Sequence, residues 1–317
     1  MGAAARPRTG GRDRLGGLTV RVLVTGAGGQ LGSDLVTALS GEVPPGGRRR
    51  ALLGAEGPGP GVDVTGADHA ALAVEDRAAV LEAVVALRPH VVVHAGAWTA
   101  VDACEADPDR AFRVNALGTR HVAEAAGIVG AHLVYLSTDY VFDGASPRPY
   151  VEWDEPRPLS VYGRSKLGGE RECPPGSTVV RTSWVCGASG ANMVKTALRL
   201  AAGGGALRFV TDQHGSPTFT ADLAAAVVTL GLDRRPGTYH VTNAGSTSWF
   251  DFVRAVLEAA GHDPGRVEPI TSAELDPPRP APRPANSVLD NAALRGAGLP
   301  LLPEWHDGLA RLVEVLS

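Results

Sequence analysis

Two patterns of hydrophobic residues alternate along the chain, one typical of buried strands and one typical of helices. Short apolar, β-branched runs are typical of strands buried on both faces of a parallel sheet, and they predict strands at Val20–Thr25, Val62–Ala67, Val91–His94, Leu133–Ser137 and Thr178–Arg181. Stretches with apolar residues at helical spacing lie between and after them, at Gln30–Leu39, Arg77–Leu87, Ala111–Gly127, from Val161 onward, Asn192–Ala202 and Thr220–Leu230. This order predicts an α/β fold, with a doubly wound parallel sheet of the Rossmann type.

The last third of the chain departs from this alternation. After Tyr239–Thr242, a helix near Trp249–Ala260 is followed by the proline-rich run Pro277–Pro284. We therefore expect a smaller C-terminal α/β lobe for the substrate beside a dinucleotide-binding domain. The predicted boundaries are a flexible extension over 1–18, the dinucleotide-binding domain over 19–182 and 205–243, and the substrate-binding lobe over 183–204 and 244–317.

Composition and charge narrow the classes of partner. The 317 residues are 44% hydrophobic and 20% charged, enough for a sizeable core, and the net charge of -4 gives no basic field for a nucleic acid or an anionic membrane. No run of about 18 apolar residues predicts a membrane span, and the segment 1–18 lacks the apolar core of a signal peptide. Three widely spaced cysteines show neither zinc nor dithiol spacing. These features predict a cytoplasmic protein that binds small molecules.

A glycine-rich turn follows the first strand. Gly26, Gly29 and Gly32 let the backbone turn tightly and approach a pyrophosphate, which would lie at the N-terminus of the next helix. We therefore predict cofactor contacts from Gly26, Gly29, Gln30 and Leu31. Asp68, at the end of the second strand, is placed to bind a ribose hydroxyl, whereas the basic cluster at 48–50 could clamp a 2′-phosphate. The cofactor is left open as NADPH or NADH.

A tyrosine and a lysine stand four residues apart in the helix that begins near Val161. Tyr162 and Lys166 should project from one helical face, where the ammonium would lower the pKa of the phenol toward the working range. Thr138 ends a buried strand, at the sheet edge where ligands bind in open α/β folds. The three residues together predict proton donation to a ketone oxygen as hydride arrives.

Two further segments are expected to lie near this trio. Ala95, Gly96 and Ala97 follow the third strand, and their small side chains leave room for the nicotinamide side of a dinucleotide. Asn115 either anchors a backbone group or a water near Lys166, or is a plain helix-surface residue.

Motifs along nearly the whole chain beyond residue 19 resemble the extended short-chain dehydrogenases, and within them the dTDP-4-dehydrorhamnose reductase family. They are the segments at 26–32 (GAGGQLG), 97–102 (AWTAVD), 137–144 (STDYVFDG), 162–170 (YGRSKLGGE), 181–185 (RTSWV), 212–218 (DQHGSPT) and 283–290 (RPANSVLD). The resemblance implies hydride transfer from NAD(P)H to C4 of dTDP-4-dehydro-L-rhamnose, with Thr138, Tyr162 and Lys166 as the catalytic triad. It implies substrate contacts from Thr99, Val101, Thr138, Asp139, Tyr140, Trp184, Arg283 and Asn286. No metal ligands are predicted, and the pairing of two copies is left open.

Three other functions compete with this interpretation. A 4-ketoreductase for a different nucleotide deoxysugar would need the same catalytic set. A sugar dehydratase would need an Asp-Glu pair after the threonine, whereas Thr138 is followed by Asp139 and Tyr140. A non-catalytic regulatory subunit, similar to the one that partners methionine adenosyltransferase, would not need the intact Tyr162 and Lys166.

Overall fold

The structure, a computed structural model, describes residues 19–42, 45 and 61–317. The extension predicted at 1–18 and the basic cluster at 48–50 lie outside the described residues. The strands are β1 (Val20–Thr25), β2 (Val62–Ala67), β3 (Val91–His94), β4 (His132–Thr138), β5 (Thr178–Thr182), β6 (Val185–Cys186), β7 (Leu207–Val210), β8 (His214–Gly215), β9 (Thr218–Phe219), β10 (Gly237–His240), β11 (Thr247–Ser248) and β12 (Val267–Ile270). The helices are α1 (Gln30–Leu39), α2 (Arg77–Leu87), α3 (Val101–Ala106), α4 (Pro108–Phe112), α5 (Gly118–Val129), α6 (Val161–Glu172), α7 (Met193–Ala201), α8 (Thr220–Leu232), α9 (Trp249–Ala259), α10 (Ala292–Gly296) and α11 (Trp305–Leu316).

Six strands form one parallel sheet in the order β10-β5-β4-β3-β1-β2. Both faces are covered, because Val22 and Val24 of β1 join the core beneath α1 and α8, whereas Leu23 joins the core beneath α2 and α5. This arrangement confirms the predicted doubly wound α/β fold. In register, Thr25 pairs with His94 and Thr138 with Thr182, so the carboxyl ends of these strands lie along one edge of the sheet.

The helix predicted over Ala111–Gly127 is interrupted. A short α4 leads into a π-helical turn at Arg113–Leu117, and α5 follows it. Apolar periodicity does not reveal this wider turn, which admits one extra residue and shifts the helical faces on either side of it. The other predicted helices and strands up to Leu230 begin and end within two residues of the observed positions.

A smaller lobe has its own core beside the large sheet. Its strands β7 and β12 pair in parallel, and Leu207 and Val267 pack with side chains of α7, α9 and α11. Strand β7 belongs to the segment 205–243, which is predicted for the dinucleotide-binding domain, and its side chains pack in this second core. No helix among the described residues is long and apolar enough to cross a bilayer.

Candidate active site

The glycine turn after β1 packs against the segment that follows β3. Gly26 has a φ of +72°, and a Cβ there would come within 2.6 Å of the Gly96 backbone nitrogen. Only glycine meets both demands at this position. The turn and the Ala95–Ala97 segment are thus held together at one edge of the sheet, as expected for two parts of one dinucleotide site.

Asp68 lies next to this turn. Its Cβ is 3.2 Å from the position that a Cβ on Gly28 would take, and its Oδ1 accepts a hydrogen bond of 2.8 Å from the backbone N–H of Ala71. The carboxylate is therefore fixed beside the glycine turn. The predicted ribose contact is compatible with this position and stays a prediction.

The side chain of Gln30 faces the smaller lobe. Its Oε1 accepts hydrogen bonds from the backbone N–H of Gly187 at 3.1 Å and from Nδ2 of Asn192 at 3.0 Å. Because α1 begins at Gln30, the first N–H groups of this helix lack partners within it and can serve an anion. The predicted cofactor contacts of Gln30 and Leu31 stay predictions, and they would come from the backbone of these residues.

Lys166 is buried against β4. Its Nζ donates a hydrogen bond of 2.6 Å to the backbone oxygen of Leu136 and lies 4.2 Å from the centre of the Tyr135 ring. Burial lowers the pKa of Lys166 to about 7, although the negative charge of Glu170 on the same helix opposes this shift. The lysine therefore titrates near neutral pH.

Tyr162 is also buried, and the Thr138 hydroxyl lies near its phenol. Burial raises the pKa of Tyr162 above its ordinary value, the nearby Thr138 hydroxyl opposes the shift, and the charge of Asp139 adds to it. The predicted lowering by Lys166 is wrong in this structure, because desolvation dominates and the ammonium donates to the Leu136 carbonyl instead. The phenol stays protonated near neutral pH, which is the form that can donate to a ketone oxygen.

Thr138 connects Tyr162 to a buried carboxyl group. Its Oγ1 donates to Oδ1 of Asp139 at 3.0 Å and accepts from the backbone N–H of Tyr140 at 3.2 Å. Burial raises the pKa of Asp139 to about 6, against hydrogen bonds from Ser287 and Thr138 that favour the carboxylate. The threonine is thus held in place at the end of β4 by its immediate neighbours.

Asn115 is buried in the π-helical turn and is not a surface residue. Its Oδ1 accepts from the backbone N–H of Trp98 at 2.8 Å, and its Nδ2 donates to the Trp98 carbonyl at 3.0 Å and to Ser165 Oγ at 2.9 Å. The predicted anchoring of a backbone group is confirmed. Asn115 ties the segment after β3 to the part of α6 between Tyr162 and Lys166.

Sequence reasoning missed an ion pair beneath the catalytic helix. Glu170 accepts hydrogen bonds from Nε of Arg181 at 2.9 Å and Nη2 at 2.7 Å, and a third from the hydroxyl of Ser137. The two charged side chains are only 8% and 6% exposed. The signal was present in the spacing, since Tyr162, Lys166 and Glu170 succeed one another every four residues along one face of α6.

His94 is a second residue that was missed. Its ring lies between the hydroxyls of Thr25, at 2.7 Å from Nδ1, and Thr119, at 3.2 Å from Nε2. Since Thr119 donates its proton to the Asn115 carbonyl, it accepts one from Nε2 of the histidine. Burial lowers the pKa of His94 to about 3, with the charge of Lys166 adding to the shift, so the ring stays neutral.

The predicted substrate residues fall into two groups. Tyr140 lies edge-on to Tyr162, with ring centres 5.7 Å apart, and near Arg283, which forms a bidentate ion pair with Asp102. These side chains are brought together beside the predicted catalytic trio of Thr138, Tyr162 and Lys166. Asn286 instead donates to the backbone oxygens of Ser146 at 2.8 Å and Arg148 at 3.2 Å. That geometry makes it a brace of the loop after β4.

The remaining substrate predictions are Thr99, which is exposed, Val101, which begins α3, and Trp184, which is half-buried and stacked on Trp249. Their contacts with a sugar stay predictions. Among the described residues, no group of three or more His, Cys, Asp or Glu side chains could hold a metal ion.

Known proteins are similar to this chain over nearly the whole of its described length. The chain matches the family described as RmlD substrate binding domain over residues 20–317. A Streptomyces griseus protein named dTDP-4-dehydrorhamnose reductase is 44% identical over 305 residues, covering 93% of this chain and 94% of that protein. A Streptomyces antibioticus protein named probable dTDP-4,6-dihydroxy-2-methyloxan-3-one 4-ketoreductase is 41% identical over 297 residues, covering 92% and 93%. The crystal structure of a Bacillus anthracis dTDP-4-dehydrorhamnose reductase in complex with NADP is similar at a TM-score of 0.82 and 37% identity, covering 93% and 99%.

Proposed function

This chain belongs to the dTDP-4-dehydrorhamnose reductase family of extended short-chain dehydrogenases, and we propose that it reduces the C4 ketone of a nucleotide-linked deoxysugar with NADPH or NADH. The substrate is dTDP-4-dehydro-L-rhamnose and the product is dTDP-L-rhamnose. The observation that carries the proposal is the meeting of Thr138, at the end of β4, with Tyr162 and Lys166, which are buried one helical turn apart on α6. The S. griseus and B. anthracis relatives are named for this reaction, and the latter was solved with NADP.

The residues present fit a dinucleotide. The close packing of Gly26 on Gly96 places the glycine turn beside the segment after β3, and α1 begins directly after the same turn, with its first N–H groups unpaired within the helix. When bound there, the reduced nicotinamide supplies the hydride for C4. We assign cofactor contacts to Gly26, Gly29, Gln30, Leu31, Asp68, Ala95, Gly96, Ala97, Asn115, Tyr162 and Lys166.

The catalytic residues handle the negative charge that develops on the ketone oxygen. Tyr162, protonated at neutral pH, donates its proton to that oxygen, and Thr138 holds the oxygen within reach of the phenol. The buried ammonium of Lys166, one helical turn beyond Tyr162, is the group that would hold the nicotinamide ribose. We assign sugar contacts to Thr99, Val101, Thr138, Asp139, Tyr140, Trp184, Arg283 and Asn286.

A different deoxysugar is the second candidate substrate. The S. antibioticus relative, named as a 4-ketoreductase for another dTDP-linked sugar, is nearly as similar as the S. griseus protein. The trio of Thr138, Tyr162 and Lys166 determines the reaction at C4 and leaves the sugar's other substituents to the surrounding residues. We also propose a cytoplasmic location, which suits the three free thiols of Cys104, Cys173 and Cys186.

The test follows the absorbance of the reduced nicotinamide with freshly generated dTDP-4-dehydro-L-rhamnose, using NADPH and NADH in separate reactions. We expect oxidation of the cofactor and formation of dTDP-L-rhamnose, identified by NMR. Reduction of dTDP-4-dehydro-6-deoxy-D-glucose alone would favour the second candidate. Protein that binds the dinucleotide but reduces neither ketosugar would contradict the proposed activity.

A further inference from the structure

Trp184 stands in a strained conformation at the edge of the candidate site. It comes two residues after Thr182, which pairs with Thr138 across β5 and β4, so it leaves the sheet at the edge that carries the catalytic trio. Its φ is +45°, in the left-handed region that a bulky side chain rarely adopts. A strained backbone conformation persists only where contacts with surrounding residues hold it, and such residues are concentrated at functional sites.

Two residues, Trp249 of α9 and Gly215 of β8, hold the indole in place. Trp249 stacks on it with ring centres 3.5 Å apart and planes 4° from parallel. Gly215 lies against its edge, and a Cβ on this glycine would come within 2.4 Å of the Trp184 ring. Gly215 and Trp249 lie close together because their segments pair. Gly215 belongs to β8, which pairs with β11, and β11 ends at the residue before Trp249.

These contacts leave the Trp184 indole only partly covered. The stacked face is covered by Trp249, one edge by Gly215, and Phe252 packs edge-on at 6.2 Å, yet the side chain remains only half-buried. A flat, partly exposed aromatic face with fixed orientation suits the apolar C–H face of a hexose ring.

We propose that Trp249 and Gly215 are positioning residues that hold Trp184 as a preformed wall against the apolar face of the deoxyhexose. The proposal rests on the proposed function for the identity of the sugar. Because the supports pre-order the wall, their loss weakens sugar binding and leaves the chemistry at C4 and the dinucleotide site intact.

The test compares Trp249→Ala with Phe250→Ala, a matched control one residue further along the same helix. With NADP present, we expect Trp249→Ala to bind dTDP-L-rhamnose about threefold to tenfold more weakly, the range expected for a lost aromatic pair, and to bind dTDP alone with unchanged affinity. The KM for the ketosugar should rise by a similar factor with kcat nearly unchanged. The control should leave all of these values close to wild type.

A second readout does not depend on any substrate. Two indoles this close give an exciton couplet in circular dichroism, which both Trp249→Ala and the more conservative Trp249→Phe should remove, and Gly215→Ala should alter it by displacing Trp184. Sugar affinity that survives loss of the couplet would overturn the proposal, as would equal weakening of dTDP and dTDP-L-rhamnose. If the wild type binds neither, the proposed function fails, whereas a couplet that persists in Trp249→Phe refutes the stacked wall itself.

Discussion

Two sides of the candidate site are assembled in different ways. On the catalytic side, Tyr162 and Lys166 come from adjacent turns of one helix, and β4 beside it provides Thr138. On the sugar side, Trp184 depends on Gly215 and Trp249, which reach it only through the pairing of two short strands. The first side therefore follows from local spacing, whereas the second requires contacts between segments that are distant in sequence.

The largest expected effect separates these two sides by kinetics. Tyr162→Phe should lower kcat by about 100- to 10,000-fold, because it removes the proton donor, while NADPH affinity stays close to wild type. Trp184→Phe should instead raise the KM for the ketosugar by about tenfold or less and leave kcat nearly unchanged. Steady-state kinetics and a titration of cofactor fluorescence measure both.

Tyr140→Phe is the control for the catalytic side. It keeps the ring against Tyr162 and removes only the hydroxyl that lies near Arg283. Its loss of kcat should be far smaller than that of Tyr162→Phe. Turnover that survives in Tyr162→Phe would show that another group protonates the ketone oxygen.

The next effect concerns how firmly the catalytic helix is anchored. Glu170→Gln should destabilise the fold by about 3–5 kcal/mol, because it leaves the buried guanidinium of Arg181 without its counter-charge. Glu172→Gln is a matched control on the same helix, since the pair of Glu172 with Arg120 is 25% and 57% exposed. That substitution should cost at most about 1 kcal/mol.

Urea unfolding of both variants measures this difference. If Glu170→Gln and Glu172→Gln had equal free energies of unfolding, the buried pair of Glu170 and Arg181 would not anchor α6. The catalytic side would then depend on its own helical spacing alone, and the contrast between the two sides would become sharper.

Much of the large sheet could be predicted because its strands are short, continuous apolar runs. Val91–His94 is buried at every position, as a central strand of a parallel sheet must be. Strand β7 carries no such signal, since its burial alternates around Arg208 and its partner β12 is far away in the chain. The π-helical turn at Arg113–Leu117 was also hidden, because its residues still follow a helical pattern.

The same distinction applies to the site. The spacing of Tyr162 and Lys166 predicted that the two side chains share one face of α6, but spacing carries no information about burial. Desolvation therefore reversed the expected direction of the Tyr162 pKa. The sequence does not decide between the two roles of Asn115 for a similar reason, since its partners at Trp98 and Ser165 come from two other segments.

The smallest effect is a pH dependence that only the catalytic side should show. Lys166 titrates with a pKa of about 7, lowered by burial. Its charged form, present below that pH, can hold a nucleotide ribose with a charge-assisted hydrogen bond, and this bond is lost as the pH rises through about 7. We therefore expect NADPH affinity to fall about tenfold between about pH 6 and pH 8, following the protonated fraction of the lysine.

Two variants decide whether the lysine is the group that titrates. Lys166→Met should bind NADPH weakly at every pH, with a flat profile. Asp139→Asn should keep the wild-type fall, although the pKa of Asp139 is also raised, to about 6, and overlaps the same range. A flat profile in Asp139→Asn would transfer the titration to the carboxyl group beside Thr138. Trp184→Phe should keep the fall unchanged, because the stacked indoles on the sugar side have no proton to lose in this range.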